Sequence, residues 1–579
     1  MSRISRFAGV LTTGLLVMGG LWYFRPAGPK APLDASPESP RRGGQLVATV
    51  RAEPRSFNRI AVRTQSADLL SALTQARLLR VNRATFELEP WLAERWDSSP
   101  DGLTHTLYLR EGLKWSDGTP VAAEDVAFSI EAATDGKVSA LASNLIAGGR
   151  PIAATVVDAR TVRVSFAGPS GQGLRMLDAL PIVPRHKLEA AYRSGKFAEA
   201  WSMQTPPADV VGLGPFVFAS YQPGQRVVLE RNPHYWRKAP DGTTLPYLDR
   251  IVLEVVPDQN AELLRLQSGQ SDLPQDAIRS EDYVPVRRSE EQGSLKVVEL
   301  GVSPDADALW FCLKPEAKKK DPRFAFVSRK EFRQALSHVV DREAFAQTVF
   351  LGAAVPVWGP ITPGNTAWFD PNLTRYPYDV AKAKALLAVI GLADRNQNGV
   401  VEDEKGTEAR FTVITQRGLG WYERGLQVIS EGAKQIGVAF DVAPIENGAM
   451  IQRMLACDFD AIYMRLLADL EPASNLDFWL SSGSAHVWNR EQKTPATPWE
   501  AQLDELMTRQ AATLDQGERR SFFNNVQLVM AENLPMLTFA APRLYVAHTA
   551  RLRGVVPSVM RPPVLWNADS LSVADAPPR

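Results

Sequence analysis

Strand and helix patterns alternate along the chain, which predicts a mixed α/β fold. The 579 residues exceed one ordinary domain, so two or three lobes are expected. No self-similar period of solenoid length interrupts the alternation. The composition, 45% hydrophobic and 22% charged, is ordinary for a globular chain that buries sizeable cores.

Taken in order, Gln45–Val50 reads as a first strand. Leu107, Leu109 and Leu113 alternate with polar neighbours, as on a half-buried strand, between turn signals at Asp101-Gly102 and Asp117-Gly118. Thr119-Pro120 opens a helix with Glu124 and Asp125 in its early turns, where acids suit the dipole. Phe332, Leu336 and Val339 give helical spacing over Lys330–Val340, and Asp341 caps a second helix, Arg342–Leu351. Asp379–Ile390 is a helix stopped by Gly391. Phe411–Thr415 is a strand and Trp421–Gln435 a helix stopped by Gly437. Asp515 with Glu518 starts a long helix to about Asn533, and Leu537–His548 returns as a strand.

Arg3 and Arg6 precede an apolar run, Phe7–Phe24, which Arg25 ends. This is an export signal. No small-x-small cleavage pattern and no lipobox cysteine follow, so an uncleaved N-terminal anchor, 7–24, is read ahead of a cleaved signal peptide, with a Pro/Ala/Ser-rich tether over 26–42. The folded part then lies on the outer face of the cytoplasmic membrane.

Several function classes are disfavoured. Lys+Arg and Asp+Glu are both 65, so no bulk charge recruits nucleic acid. There is no HExxH, no GxSxG elbow, no P-loop and no dinucleotide fingerprint, so no enzyme activity and no cofactor are expected. Gly168–Gly173 (GPSGQG) reads as a loop. Asp394, Asn396 and Asn398 with Gly399 match the opening of a calcium loop, but position twelve is Lys405; a plain turn is the first reading and calcium the second. Cys312 and Cys457 allow a disulfide, but Cys312 sits in an apolar run and favours two buried thiols.

Four segments carry a resemblance. LAERWDSSPDGLTHTLYLREGLKWSDGTPVAAEDVAFSIE (92–131), VGLGPFVFASYQPGQRVVLERNPHYW (211–236), RKEFRQALSHVVDREAFAQTVFLGAAVPVWGPITPG (329–364) and DFDAIYMRLLADLEPASNLDFW (458–479) resemble, in family order, the peptide/nickel class of bacterial extracellular solute-binding proteins. The resemblance implies a two-lobed clamp with an extra subdomain: lobe one 43–80, 209–305 and 540–579; the insertion 81–208; lobe two 306–539. The two crossings are expected near 300–312 and 535–548. It also implies a monomeric solute receptor for an ATP-driven importer, closing by hinge motion on a short peptide and delivering it to a membrane permease. Alternatives are a non-peptide solute (oligosaccharide, nickel complex or haem) or an anchored sensor or scaffold that keeps the clamp.

The resemblance also implies a site. An aspartate at the place of Asp469 pairs with the ligand's α-ammonium in peptide-binding members. The competing role is to shape the turn before a helix that Ser474 and Asp477 are expected to cap. Where members often carry a Trp three residues earlier, this chain has Leu466, preceded by Arg465. Leu466 removes an aromatic wall. Arg465 is read first as a surface residue, with an anionic ligand group or a fold acid as its other partners. Trp421 and Tyr422 in RGLGWYERG, and Trp358 and Trp368 around Pro360–Gly364, are candidates to stack on ligand, against a default of core packing.

Overall fold

The computed structural model describes residues 40–466 and 468–574. The predicted anchor 7–24 and most of its tether lie outside them. The described residues from 41 onward form one compact unit.

Two five-stranded sheets organise it. In the first, Gln45–Val50 runs parallel to Arg250–Val255 and to Leu273–Pro274, while the hairpin Phe216–Gln222/Arg226–Arg231 extends the Arg250–Val255 edge antiparallel. In the second, Arg410–Gln416 runs parallel to Ala439–Ile445 and Ala461–Leu466. Ala306–Phe311 then pairs antiparallel with both Ala461–Leu466 and Met536–Thr538. Each sheet has its own apolar core. One core draws on residues from Leu46 to Leu273 and from Val546 to Leu571. The other draws on Ala308 to Ala540. These are lobes one and two.

The lobes are joined by paired strands. Leu295–Val302 lies antiparallel to Ala540–Thr549 in a separate small sheet, with Val302 opposite Arg543. The chain leaves that sheet at Val302 and enters the lobe-two sheet at Ala306. It returns where Met536–Thr538 gives way to Ala540–Thr549. Leu537–His548, expected as one strand, is therefore two, broken at Phe539 where the backbone changes sheets.

The segment with the strongest family likeness is structural. Thr104–Leu109 alternates half-buried and buried residues as its pattern demands, in a four-stranded antiparallel sheet with Ala93–Ser98, Thr161–Ser165 and Ala153–Asp158. The helix Ala123–Thr134 starts on Asp125. Its carboxylate accepts from the Ala122 amide (3.0 Å), the Arg185 amide (2.9 Å) and the buried Trp115 indole (3.3 Å). The glycines of VGLGPF have a steric role too: a Cβ at Gly212 or Gly214 would run into the Thr74 carbonyl at the end of helix Gln65–Thr74.

Local caps form where the sequence puts them. Asp341 accepts from the Glu343 and Ala344 amides at 3.0 and 3.1 Å, and Asp515 from Glu518 at 2.8 Å. Two expectations fail. Cys312 and Cys457 are joined by a disulfide rather than left as thiols, with Cα atoms 5.8 Å apart. The register pairing Phe311 with Ala461 brings these distant positions together. Ser474 and Asp477 do not form a capping box. Ser474 donates to the Glu471 carbonyl, Asp477 accepts from Ser484, and the preceding 3-10 turn is capped by Glu471, which Arg519 holds in an ion pair.

Candidate functional site

The site is built on the end of strand Ala461–Leu466 and the irregular segment after it. Strand alternation turns Arg465 and Leu466 opposite ways. Leu466, 9% exposed, packs into the lobe-two core and does not wall a ligand. Arg465 is not a surface residue: its Nε donates to Asp307 Oδ1 at 2.7 Å, and Asp307 is 0% exposed. Burial opposes the guanidinium's charge, but Asp307 more than offsets this and holds its pKa above the usual value. Tyr463 also donates to Asp307, at 3.4 Å.

Tyr422 is buried, and its hydroxyl accepts from the Arg465 amide at 2.8 Å. Burial first, then the nearby Asp307 charge, pushes its pKa up to about 12. Tyr422 therefore positions the strand end and offers no ring to a ligand. Trp421 is half-buried, its ring centroid 5.7 Å from the Arg465 guanidinium. Trp358 is half-buried beside Arg342 and Arg375, at 5.6 and 4.9 Å. Trp368 is core, edge-on to Phe523.

Asp469 differs from all of these. Its side chain is open to solvent, yet enough protein surrounds it for desolvation to raise its carboxyl pKa above the usual range. The attractions of Arg63 and Arg561 oppose that rise, and the charge of Asp305 adds to it. Among the described residues Asp469 has no hydrogen bond or ion pair. Asp305, at the first crossing, is buried; it accepts the Ala468 amide at 2.9 Å with one oxygen and the Arg561 guanidinium with the other. Arg63, Arg561 and Asp305 have no sequence signal: each sits in an irregular segment far along the chain from Asp469.

Backbone and amide contacts join the segment 144–172 to lobe two. The GPSGQG loop docks there: Gly171 N donates to Ala511 O at 2.6 Å and Gln172 Nε2 to Ala473 O at 3.0 Å. Asn144 Nδ2 reaches the Ser474 carbonyl at 3.3 Å.

The calcium-like residues form a tight turn. Asp394 accepts the Asn398 and Gly399 amides, Asn396 accepts Asn398, and Asn398 accepts Val400. Among the described residues no three His, Cys, Asp or Glu side chains converge on a metal-sized site.

Two lobes, two adjacent crossings and a carboxylate without a partner among the described residues can be set beside known proteins. The profile described as Bacterial extracellular solute-binding proteins, family 5 Middle, matches residues 87–486. The chain belongs to this family. It is 27% identical over 521 residues to a probable ABC transporter-binding protein of Deinococcus radiodurans, covering 85% of this chain and 86% of that one. It is 25% identical over 533 residues to the dipeptide-binding protein of Escherichia coli, covering 88% and 92%. Its fold matches the oligopeptide-binding protein AppA of Bacillus subtilis, solved with a nonapeptide, at a TM-score of 0.73 and 24% identity, over 93% of this chain and all of that one. This family-5 chain is thus a two-lobed binding protein of the importer class, extracellular by family.

Proposed function

We propose that this solute-binding protein captures a short peptide between its lobes, with Asp469 pairing with the peptide's α-ammonium, and hands it to an importer permease. We assign lobe one to 43–80, 209–305 and 540–579, the insertion to 81–208 and lobe two to 306–539, and we read 7–24 as the membrane anchor of a monomer. The observation that carries the peptide reading is the unpaired, desolvated carboxylate of Asp469. A partly desolvated anion without a partner among the described residues is disfavoured, and an ammonium is the partner that relieves it. The dipeptide- and oligopeptide-binding relatives support the same class of solute. Trp421, half-buried beside the Arg465 guanidinium, and Trp358, half-buried beside Arg342 and Arg375, are the remaining candidate aromatic walls.

The test is titration calorimetry with the peptide that native mass spectrometry finds co-purified. Truncating one partner of such a charge pair costs about 2–5 kcal/mol, so Asp469→Ala should weaken binding by roughly thirtyfold or more. Unchanged affinity in Asp469→Ala, or equally tight binding of the N-acetylated peptide, would show that no ammonium is held there.

A further inference from the structure

Two guanidiniums far from Asp469 in sequence share a single carboxylate. Arg83 donates to Asp178 Oδ2 at 3.4 Å and to the Val81 carbonyl at 2.9 Å. Arg77 Nε lies 4.0 Å from the other Asp178 oxygen. Burial pulls the Arg77 pKa down to about 10; the Asp178 charge opposes that fall and the Arg83 charge adds to it. The Arg83 side chain keeps only 8% exposure, yet its Nε has no hydrogen-bond partner among the described residues. Folded proteins rarely leave a buried donor in that state.

The neighbouring ion pairs do not supply the missing charge. Arg80 Nε donates to Glu89 at 2.7 Å, and Asp569 is taken up by Arg237 and by the Tyr235 hydroxyl. Arg80 and Arg237 also lie over the Trp91 ring, 3.6 and 4.5 Å from its centroid. Four guanidiniums, those of Arg77, Arg80, Arg83 and Arg237, are thus set against three carboxylates, those of Glu89, Asp178 and Asp569. Arg77, Arg80 and Arg83 line one cavity of about 30 Å³ together with Trp91, Trp566 and Asp569. None of these is a residue of the site around Asp469.

We propose that this cavity binds a small monovalent anion of halide size, which accepts from Arg83 Nε and balances the second guanidinium on Asp178. A buried charge is tolerated when it is paired, and the cavity is where the counter-charge is lacking. Its volume is that of roughly two water molecules, which suits a halide and excludes sulfate, phosphate or the end of a peptide. Gln75 lines the same cavity; its side-chain oxygen accepts from Ser71 Oγ at 2.8 Å, which leaves its amide hydrogens to donate. The ion ties the stretch 75–83 to Trp566 and Asp569 near the end of the chain, and so acts as a staple within lobe one. An ion bound to the native state alone raises its stability by mass action.

Two measurements on the whole folded protein test this. Crystals soaked in sodium bromide are examined by anomalous diffraction, and melting is followed in sodium chloride and in sodium gluconate at equal ionic strength. A bromide peak should lie within hydrogen-bond reach of Arg83 Nε. The wild type should melt about 1–2 °C higher in chloride at ten times the dissociation constant. Arg83→Met removes the unanswered donor and should abolish that gain. Ala72→Leu should abolish it too: Ala72 is half-buried and lines the cavity, so a larger side chain fills the space and leaves every charge in place. No bromide peak in the cavity, no chloride gain in the wild type, or a gain that either variant retains would overturn the assignment.

Discussion

Removing Asp307 should destabilise lobe two more than any surface change near the site. Its carboxylate is fully buried on the interior strand Ala306–Phe311 and accepts from Arg465 at 2.7 Å and Tyr463 at 3.4 Å. Asp307→Ala leaves the guanidinium uncompensated. Breaking a buried pair in this way costs about 3–5 kcal/mol. The Arg465 side chain keeps 23% exposure, so water can re-solvate it in part, and the lower end of the range, about 3 kcal/mol, is expected. Asp307→Leu with Arg465→Met should recover most of the loss, because neither charge is then buried. Urea unfolding followed by tryptophan fluorescence reads this directly: Trp310, on the same strand, stacks on Trp488 in the lobe-two core. A loss below about 1 kcal/mol in Asp307→Ala, or a double variant as unstable as the sum of its singles, would refute the view that this pair is balanced internally.

Three further outcomes follow. The raised Asp469 pKa means the native state takes up a proton more readily than the unfolded chain, so this group adds stability as pH falls through its folded value and costs stability above it; Asp469→Asn should therefore raise the ligand-free melting temperature at pH 7, while in the wild type peptide affinity should start to fall at a higher pH than an ordinary aspartate at about 3.9 would cause. A lower melting temperature for Asp469→Asn, by differential scanning calorimetry, would contradict this. Gly171 has no room for a side chain against the Arg519 guanidinium and the Thr513 carbonyl, so Gly171→Val should separate the inserted subdomain from lobe two, raise the radius of gyration in small-angle scattering and weaken peptide binding; an unchanged radius would count against a docked loop. Replacing both Cys312 and Cys457 by Ser should cost about 2–4 kcal/mol in the lobe-two urea transition, since the crosslink closes a loop with a sequence separation of 145; a midpoint insensitive to the change would exclude a stabilising bridge.

What the sequence makes legible is local. Asp341 and Asp515 cap their helices because the capping oxygen and the amides it serves lie within three residues of each other. The Ser474–Asp477 box has equally good spacing but loses to Glu471, which Arg519, 48 residues on, fixes in place first. Phe539 interrupts a strand for a reason that exists only in three dimensions, the change of sheet between lobes. The cysteines looked like thiols because their proximity is set by strand register. Asp469 was legible through family resemblance. Its neighbours Arg63, Asp305 and Arg561 were not, since the cleft assembles them from three segments that carry no periodic pattern.

Arg465 and Asp469 show how one short stretch divides structural and binding roles. Four residues apart, both carry charge in a crowded environment. Arg465 is met from within by Asp307, so nothing about it needs a ligand; its identity fixes the strand end and, through Tyr422 on its amide, the path of the chain beyond. Among the described residues Asp469 is met by nothing, although Arg561 stands near and is claimed instead by Asp305. Had Arg561 reached Asp469, the carboxylate would be satisfied and a cationic ligand would have to displace an internal ion pair before binding. Asp305 prevents that competition while anchoring Ala468 beside the site. The unsatisfied charge is thereby kept available, and its cost to the empty protein becomes part of the free energy that an ammonium gains on arrival.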